Sequence, residues 1–194
     1  MELAFIGTGG SWPSKERNVS CVALRLGKEI ILFDCGEGTQ RQLMHSTMSF
    51  MKISKIFVSH FHGDHFLGIP GLIQSMALNN RKKELKIYGP KGTAKIIKTL
   101  LKLGYFAPSF ETIVYDLTGN DNIEFENYRI KTCYADHNVP TLAYSLEERE
   151  KPGRFRVDRA RALGIPPGPL YRKLQLGKSV VFKGRRIKPE EVLG

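Results

Sequence analysis

The chain has few cysteines, no long apolar run and a shortage of acidic residues, and each deficit narrows what it can be. Its three cysteines, Cys21, Cys35 and Cys133, are odd in number, far apart and form no CxxC pair. That pattern argues against a disulfide framework, thiolate ligands or a thiol nucleophile, and all three read as reduced core thiols. No stretch reaches the roughly 18 apolar residues of a membrane span, and Met1-Glu2-Leu3 opens directly into strand-like sequence without a signal peptide. A soluble, cytoplasmic protein with no membrane partner is therefore expected. Internal repeats and low-complexity stretches are absent. At 194 residues and 41% apolar content, the length suits one domain with a sizeable core and an appendage.

Acidic residues are outnumbered, 19 against 30 Lys and Arg, for a net charge of +11. The excess is uneven. Residues 1–150 hold 18 basic and 16 acidic residues, a balance of +2, while residues 151–194 hold 12 and 3, a balance of +9. Such a segment suits a polyanionic partner, because Lys and Arg beside phosphates release counterions. A solvated tail that aids solubility has the same composition, and charge alone does not separate the two.

Histidine is sparse but concentrated: three of the five fall in His60-Phe61-His62-Gly63-Asp64-His65. The apolar run Ile56-Phe57-Val58 reads as a buried strand, so this polar cluster starts where the strand ends and is held by a rigid element. Side chains alternate in an extended segment, which lets His60 and His62 point the same way and converge on one ion. Gly63 then permits a turn that carries Asp64 and His65 towards a second ion beside the first. Imidazole with a carboxylate companion favours zinc and leaves manganese and iron open. Surface histidines or a pH-sensitive loop would be the ordinary alternative, but such density beside a carboxylate is uncommon there.

Elsewhere, strands and hairpins mix with helices, which places the fold in the α/β (α+β) class with sheet layers covered by helices. Strands are expected at Leu3–Ile6, Cys21–Leu26, Ile30–Phe33, Leu85–Tyr88, Thr112–Tyr115, Ile123–Phe125, Tyr128–Tyr134 and Leu142–Leu146. Helices are expected at Thr39–His45 with Thr39 at its N-cap, at Pro70–Leu78 and at Thr93–Leu103. His137 follows the strand ending at Tyr134 and can add a third nitrogen to the His60–His62 pair. Taken alone, a histidine in that position is more often an ordinary loop residue. His45, inside a helix, reads as structural. Asp34, in Phe33-Asp34-Cys35-Gly36-Glu37-Gly38-Thr39, can orient a ligating imidazole through a hydrogen bond. The glycines around it can also bring backbone amides to a phosphate at a helix start.

His60-Phe61-His62-Gly63-Asp64-His65 resembles the HxHxDH signature of the metallo-β-lactamase superfamily, which implies an αββα sandwich. Phe5 to Ser11, Pro13 to Asn18, Phe33 to Gln42 and Gly68 to Leu72 resemble the ribonuclease Z family of tRNA 3′-processing endonucleases. Lys151-Pro152-Gly153-Arg154-Phe155 and Gly164-Ile165-Pro166-Pro167-Gly168-Pro169-Leu170-Tyr171 are similar to that family's projecting basic arm. The resemblance spans nearly the whole chain. It implies two zinc ions per complete subunit, one held by His60, His62 and His137 and the other by Asp64 and His65. Asp64 would also be the catalytic proton acceptor. The implied partner is precursor tRNA, cut to leave a 3′-hydroxyl on the tRNA and a 5′-phosphate on the trailer, and the implied assembly is a homodimer. Lys15, Arg17, Asn18 and Thr39 in the body, with Lys151, Arg154, Arg156, Arg172 and Lys173 in the arm, are the expected RNA contacts.

The arm should comprise helices at Asp158–Leu163 and Leu170–Leu176 and a hairpin of Ser179–Phe182 with Arg185–Ile187, with too few apolar residues to bury much core. The family is expected to continue past the arm and to supply a bridging Asp and two further His, whereas no histidine follows His137 here. The expected organisation is therefore residues 1–150 as the N-terminal part of the metallo-β-lactamase domain, 151–188 as the arm and 189–194 as the start of an absent C-terminal part. Such a fragment is not assured of activity. A thioesterase or lactonase of the same superfamily, or a non-catalytic RNA-binding fragment, are the alternative readings.

Overall fold

The computed structural model describes residues 1–149 and 153–194. Contacts divide the chain into two units, Met1–Glu147 and Glu148–Gly194. In the first unit six strands form one sheet in sequence order: β1 (Glu2–Gly7), β2 (Cys21–Leu26), β3 (Glu29–Phe33), β4 (Ile53–Phe57), β5 (Leu85–Pro90) and β6 (Thr112–Leu117). The first three pair antiparallel and the last four parallel. Parallel neighbours require crossovers. These are α1 (Thr39–Met44), then α2 (Gly63–Phe66) with α3 (Ile69–Leu78), then α4 (Thr93–Leu100). A second sheet has the order β7 (Asn122–Glu124), β8 (Tyr128–Tyr134) and β9 (Leu142–Glu148).

Two cores follow from the two faces of the large sheet. Leu43, Leu72, Ile73, Met76 and Ile97 from the helices pack on Ala23, Ile30, Leu32, Ile56 and Ile87. On the other face Ile31, Phe57 and Tyr88 meet Tyr128, Ile130 and Leu142 of the second sheet. The order helix, sheet, sheet gives three layers of the expected αββα sandwich. Between the sheets, register places one aromatic residue on each of four adjacent strands: Phe33 opposite Phe57, Phe57 opposite Tyr88, and Tyr88 opposite Tyr115. Their rings stack with centroids 5.6, 4.6 and 4.8 Å apart. Tyr144 meets Phe57 edge-on at 5.3 Å and donates its hydroxyl to the carbonyl of Val58 at 2.6 Å. This ladder stiffens the strand ends that carry the histidine loop, since offset and edge-on ring pairs add to the burial they bring.

A polar clasp also joins the sheets. Glu29 accepts hydrogen bonds from Ser54, Lys55 and, at 3.1 Å, the hydroxyl of Tyr128. Lys55 is buried and lies over the Phe125 ring at 4.5 Å. Burial works to raise the Glu29 carboxyl, but Lys55, Ser54 and Tyr128 outweigh it and hold the group below its ordinary value. A depressed carboxylate adds stability that is present above its unfolded value and is lost as pH falls through the folded one. Glu29→Gln should therefore destabilise the protein by about 2–3 kcal/mol at neutral pH, because Lys55 is left buried without its partner. It should also flatten the acid limb of stability. Urea denaturation across the acid range checks both, and parallel curves for the two proteins would rule the clasp out.

The second unit contains α5 (Val157–Ala162), α6 (Pro169–Gln175) and a hairpin of β10 (Val180–Phe182) with β11 (Arg185–Ile187). Lys183 and Gly184, both at positive φ, form the two-residue turn. Contrary to the sequence expectation, these elements close a small core of their own from Ala160, Ile165, Leu174, Val180, Ile187 and Val192. Contributions from turns and single helix positions, too irregular for periodicity to reveal, account for the difference. Residues 189–194 join this core: Phe155 pairs with Leu193, and the Arg154 amide bonds the Gly194 carbonyl at 2.8 Å.

One local expectation needs correction. Cys21 and Cys35 are buried, and burial pushes the Cys21 thiol up to about 12 and Cys35 well above its usual value, but Cys133 is exposed near the end of β8. The glycines after Asp34 serve backbone packing. A Cβ on Gly36 would lie 2.1 Å from the carbonyl oxygen of Asp64, and one on Gly68 would lie 2.0 Å from that of Gly36. The Cys35 amide bonds the His65 carbonyl at 2.8 Å, and the Gly68 amide bonds that of Cys35 at 2.9 Å. The loop after β3 is thus laced directly beneath the histidine loop.

Candidate metal centre

The polar residues gather at the C-terminal ends of the parallel strands, where open α/β sheets place their ligand sites. Asp34 directly follows β3, Ser59 and His60 lie just beyond β4, and His137 lies just beyond β8. The Leu142 amide donates to the Ser59 carbonyl at 2.9 Å, and the Ala135 amide donates to Thr141 at 3.0 Å. These two bonds fold the loop of the second sheet over the histidine loop of the first. His137 arrives 75 residues along the chain from His62, with its Nε2 3.2 Å from His62 Nδ1.

His60, His62 and His137 form a three-nitrogen cluster whose ligand atoms lie within 4.8 Å of one another. Ring centroids are 4.8 Å apart for His60–His62 and His60–His137 and 5.0 Å for His62–His137, with interplanar angles of 83°, 84° and 81°. Three imidazoles nearly perpendicular to each other cannot be a stacked aromatic cluster, and their ring nitrogens draw together, with His60 Nε2 3.1 Å and His137 Nε2 3.2 Å from His62 Nδ1. Such a donor set fits one face of a tetrahedral zinc site. Burial and then the neighbouring His65 lower His60 to about 4, which keeps it neutral and able to ligate at neutral pH.

Asp64 and His65 sit together on the one-turn helix α2, immediately after His62, which is its N-cap. His65 Nε2 lies 3.3 Å from Asp64 Oδ2, and its ring centroid lies 4.0 Å from that of His60. A second group of potential ligands therefore adjoins the first. Gly63 begins the helix, which replaces the sharp turn expected there.

Asp34, at φ 60°, organises both groups. Its Oδ1 accepts the Ser59 amide at 2.7 Å, and its Oδ2 lies 2.7 Å from His65 Nδ1 and 3.0 Å from the Ser59 hydroxyl. A carboxylate accepts, so His65 carries its proton on Nδ1 and presents Nε2 towards Asp64. The Ser59 hydroxyl in turn lies 2.9 Å from His60 Nδ1, leaving His60 Nε2 for the three-histidine cluster. Burial works to lower His65, but the hydrogen bond and charge of Asp34, with Asp64, raise it. Burial works to raise Asp64, but the Ser11 amide, 2.8 Å from its Oδ2, and the His65 and His60 neighbours hold it low and ionised. Ser11 is a residue that sequence reading missed. It has no distinguishing side chain, and only the loop's position reveals its contact.

Among the expected RNA contacts, Lys15 and Arg17 are exposed in the loop after β1, whereas the Asn18 amide is engaged with the Glu37 carbonyl at 2.8 Å. Thr39 is wholly buried, with Gly38 rather than Thr39 as the N-cap of α1, so its side chain faces core and not solvent. Arg154, Arg156, Arg172 and Lys173 are exposed on the second unit, and Lys151 lies outside the described residues. His45 is an exposed C-cap of α1. No helix among the described residues is long and apolar enough to cross a membrane.

These layers and this histidine centre define a metallo-β-lactamase fold with a metal-binding site. The metallo-β-lactamase fold protein YhfI from Bacillus subtilis superposes at a TM-score of 0.63, with 19% identity over 82% of this chain and 65% of its own. Human tRNase Z, short form, superposes at 0.72 with 34% identity over 78% of this chain and 66% of its own. The chain belongs to the family described as Anti-Pycsar protein Apyc1, whose model matches residues 1–148. Over its whole length it is 48% identical to ribonuclease Z of Methanosarcina acetivorans and 44% identical to that of Pyrococcus horikoshii. It spans 64% and 63% of those two proteins. The resemblance to ribonuclease Z thus holds beyond residue 148, through the basic segment.

Proposed function

We propose that the chain is the metal-binding and arm-bearing part of a zinc-dependent endoribonuclease that removes the 3′ trailer from precursor tRNA. The observation that carries this reading is the continuous similarity to ribonuclease Z across both the histidine centre and residues 149–194, which the family match does not cover. In the reaction proposed, His60, His62 and His137 would hold one zinc ion. Asp64 and His65 would contribute to a second, together with ligands from the remaining third of the relatives' length. When bound, the two ions would lower the pKa of a coordinated water and neutralise charge on the scissile phosphate. Asp34 fixes the proton of His65 on Nδ1, and Ser59 fixes that of His60, so both rings stay oriented throughout. Asp64, kept ionised by the Ser11 amide, accepts the proton of the attacking water. In-line displacement then breaks the bond from phosphorus to the 3′ oxygen, which takes up a proton from solvent, leaving a 3′-hydroxyl on the tRNA and a 5′-phosphate on the trailer.

The arm supplies the grip on the substrate. Every described Lys and Arg of residues 153–194 is exposed, and contacts from such side chains to phosphate position an RNA by shape rather than by base sequence. A surface of this charge gives no advantage to a thioesterase or lactonase acting on small substrates. The working form proposed is a cytoplasmic homodimer. Incubation of the complete protein, in which the ligands from that remaining third are present, with zinc and a 3′-extended precursor tRNA, followed by end-group analysis, is the test. A trailer bearing a 5′-phosphate is expected, and salt should weaken tRNA binding steeply. Thioester turnover with no RNA cleavage would overturn the reading. Salt-sensitive tRNA binding with neither reaction would reduce the chain to an RNA-binding fragment.

A further inference from the structure

The chain has a single tryptophan, Trp12, and it is 73% exposed. An isolated exposed aromatic is ordinary, but this one has an unusual setting. It lies in the loop between β1 and β2, which is closed at its neck by the pairing of Gly9 with Val19 and by the Gly9 amide bonding Asn18 at 2.7 Å. The loop is braced further out by the Ser14 amide on the Arg17 carbonyl at 2.8 Å and the Arg17 amide on the Ser14 hydroxyl at 3.0 Å. The residue before Trp12 is Ser11, whose amide holds Asp64 Oδ2. Consecutive Cα atoms are about 3.8 Å apart, so the indole is rooted one residue from the amide that holds the carboxylate proposed to act on the attacking water. Lys15 and Arg17 are exposed in the same loop.

A hydrogen-bonded loop carrying an exposed indole and two cations, tethered to the carboxylate proposed to react, has the features of a surface for single-stranded nucleic acid. Aromatic faces stack bases while cations follow the backbone, and stacking tolerates any base because every base has a π face. We propose that Trp12 is the stacking platform for a nucleobase adjoining the scissile phosphate. This rests on the ribonuclease reading above and specifies the substrate element that the rim of the site receives: an unpaired base, not duplex.

Because Trp12 is the only tryptophan, intrinsic fluorescence reports on it directly. A short single-stranded RNA oligonucleotide should quench its emission saturably, and an abasic ribose-phosphate strand of equal length should not. By anisotropy of a labelled RNA, Trp12→Ala should weaken binding roughly tenfold and Trp12→Tyr less than about threefold. Both variants should melt with the parent, since the indole is not buried. RNA binding without any change in emission, or equal quenching by the abasic strand, would overturn the role of Trp12 and leave the ribonuclease reading standing. Absence of binding to both the oligonucleotide and a 3′-extended tRNA would overturn the ribonuclease reading itself.

Discussion

Asp64→Ala, made in the complete enzyme, should lower cleavage of a 3′-extended precursor tRNA by about 10²- to 10⁴-fold, the range for loss of a positioned proton acceptor, and remove a proposed metal ligand as well. Binding of the tRNA should stay within about twofold, because the exposed cations of residues 153–194, which are proposed to supply the main grip on phosphate, are untouched. Deletion of residues 148–194 should do the reverse, weakening tRNA binding while leaving the three-histidine cluster, which lies wholly within Met1–Glu147, able to take zinc. Single-turnover cleavage and filter binding at fixed salt separate the effects. Equal loss of binding and cleavage in Asp64→Ala would show that the carboxylate supports structure rather than chemistry.

Asp34→Ala should have the largest combined effect on folding and metal affinity. It leaves the half-buried Ser59 amide without its acceptor and places alanine at φ 60°, where a Cβ residue is strained. It also frees His65 to rotate and removes the acceptor that turns the Ser59 hydroxyl towards His60. A loss of about 3 kcal/mol in stability is expected from the unsatisfied amide and strain together, with zinc bound about 10- to 100-fold more weakly. Asp34→Asn is the sharper variant. Asparagine tolerates the same backbone conformation and can still accept the Ser59 amide. If its amide nitrogen faces His65 Nδ1, however, it favours the wrong tautomer of that ring, as a donor cannot fix a proton there. Asn should therefore recover most of the stability and little of the zinc affinity. Thermal melts with and without zinc, together with a competitive zinc titration, distinguish the two roles. Wild-type zinc affinity in Asp34→Asn would dismiss the orienting role.

These predictions depend unequally on what could be read from residues alone. The strand-to-loop transition at Val58–His60 was legible because an apolar β-branched run gives way abruptly to polar ligands, and β4 ends at Phe57. Helices α3 and α4 were legible from their apolar spacing, within a few residues at their ends. Asp34 was recognised as an orienting group, but not its choice of His65, because 31 residues separate them. Thr39 was misplaced because a small hydroxyl residue at a helix start reads the same whether the first turn faces solvent or core. The arm's core was underestimated for a similar reason. Ala160, Ile165 and Val192 lie on a helix, a turn and a terminal segment, and their convergence leaves no periodic trace.

By itself the sequence determined the candidate ligand types, their local order, the alternation of strands with helices and the concentration of positive charge after residue 150. All of these are properties of neighbours along the chain, which period, spacing and composition record directly. Only the tertiary structure decided that His137 joins His60 and His62, that Asp34 governs both imidazole groups through Ser59 and His65, and that the Ser11 amide reaches Asp64. Those contacts span 75, 31 and 53 residues. They depend on which strand ends lie side by side and how loops close over them, and that is set by sheet register and by packing on both faces of β3 and β4 rather than by any local pattern.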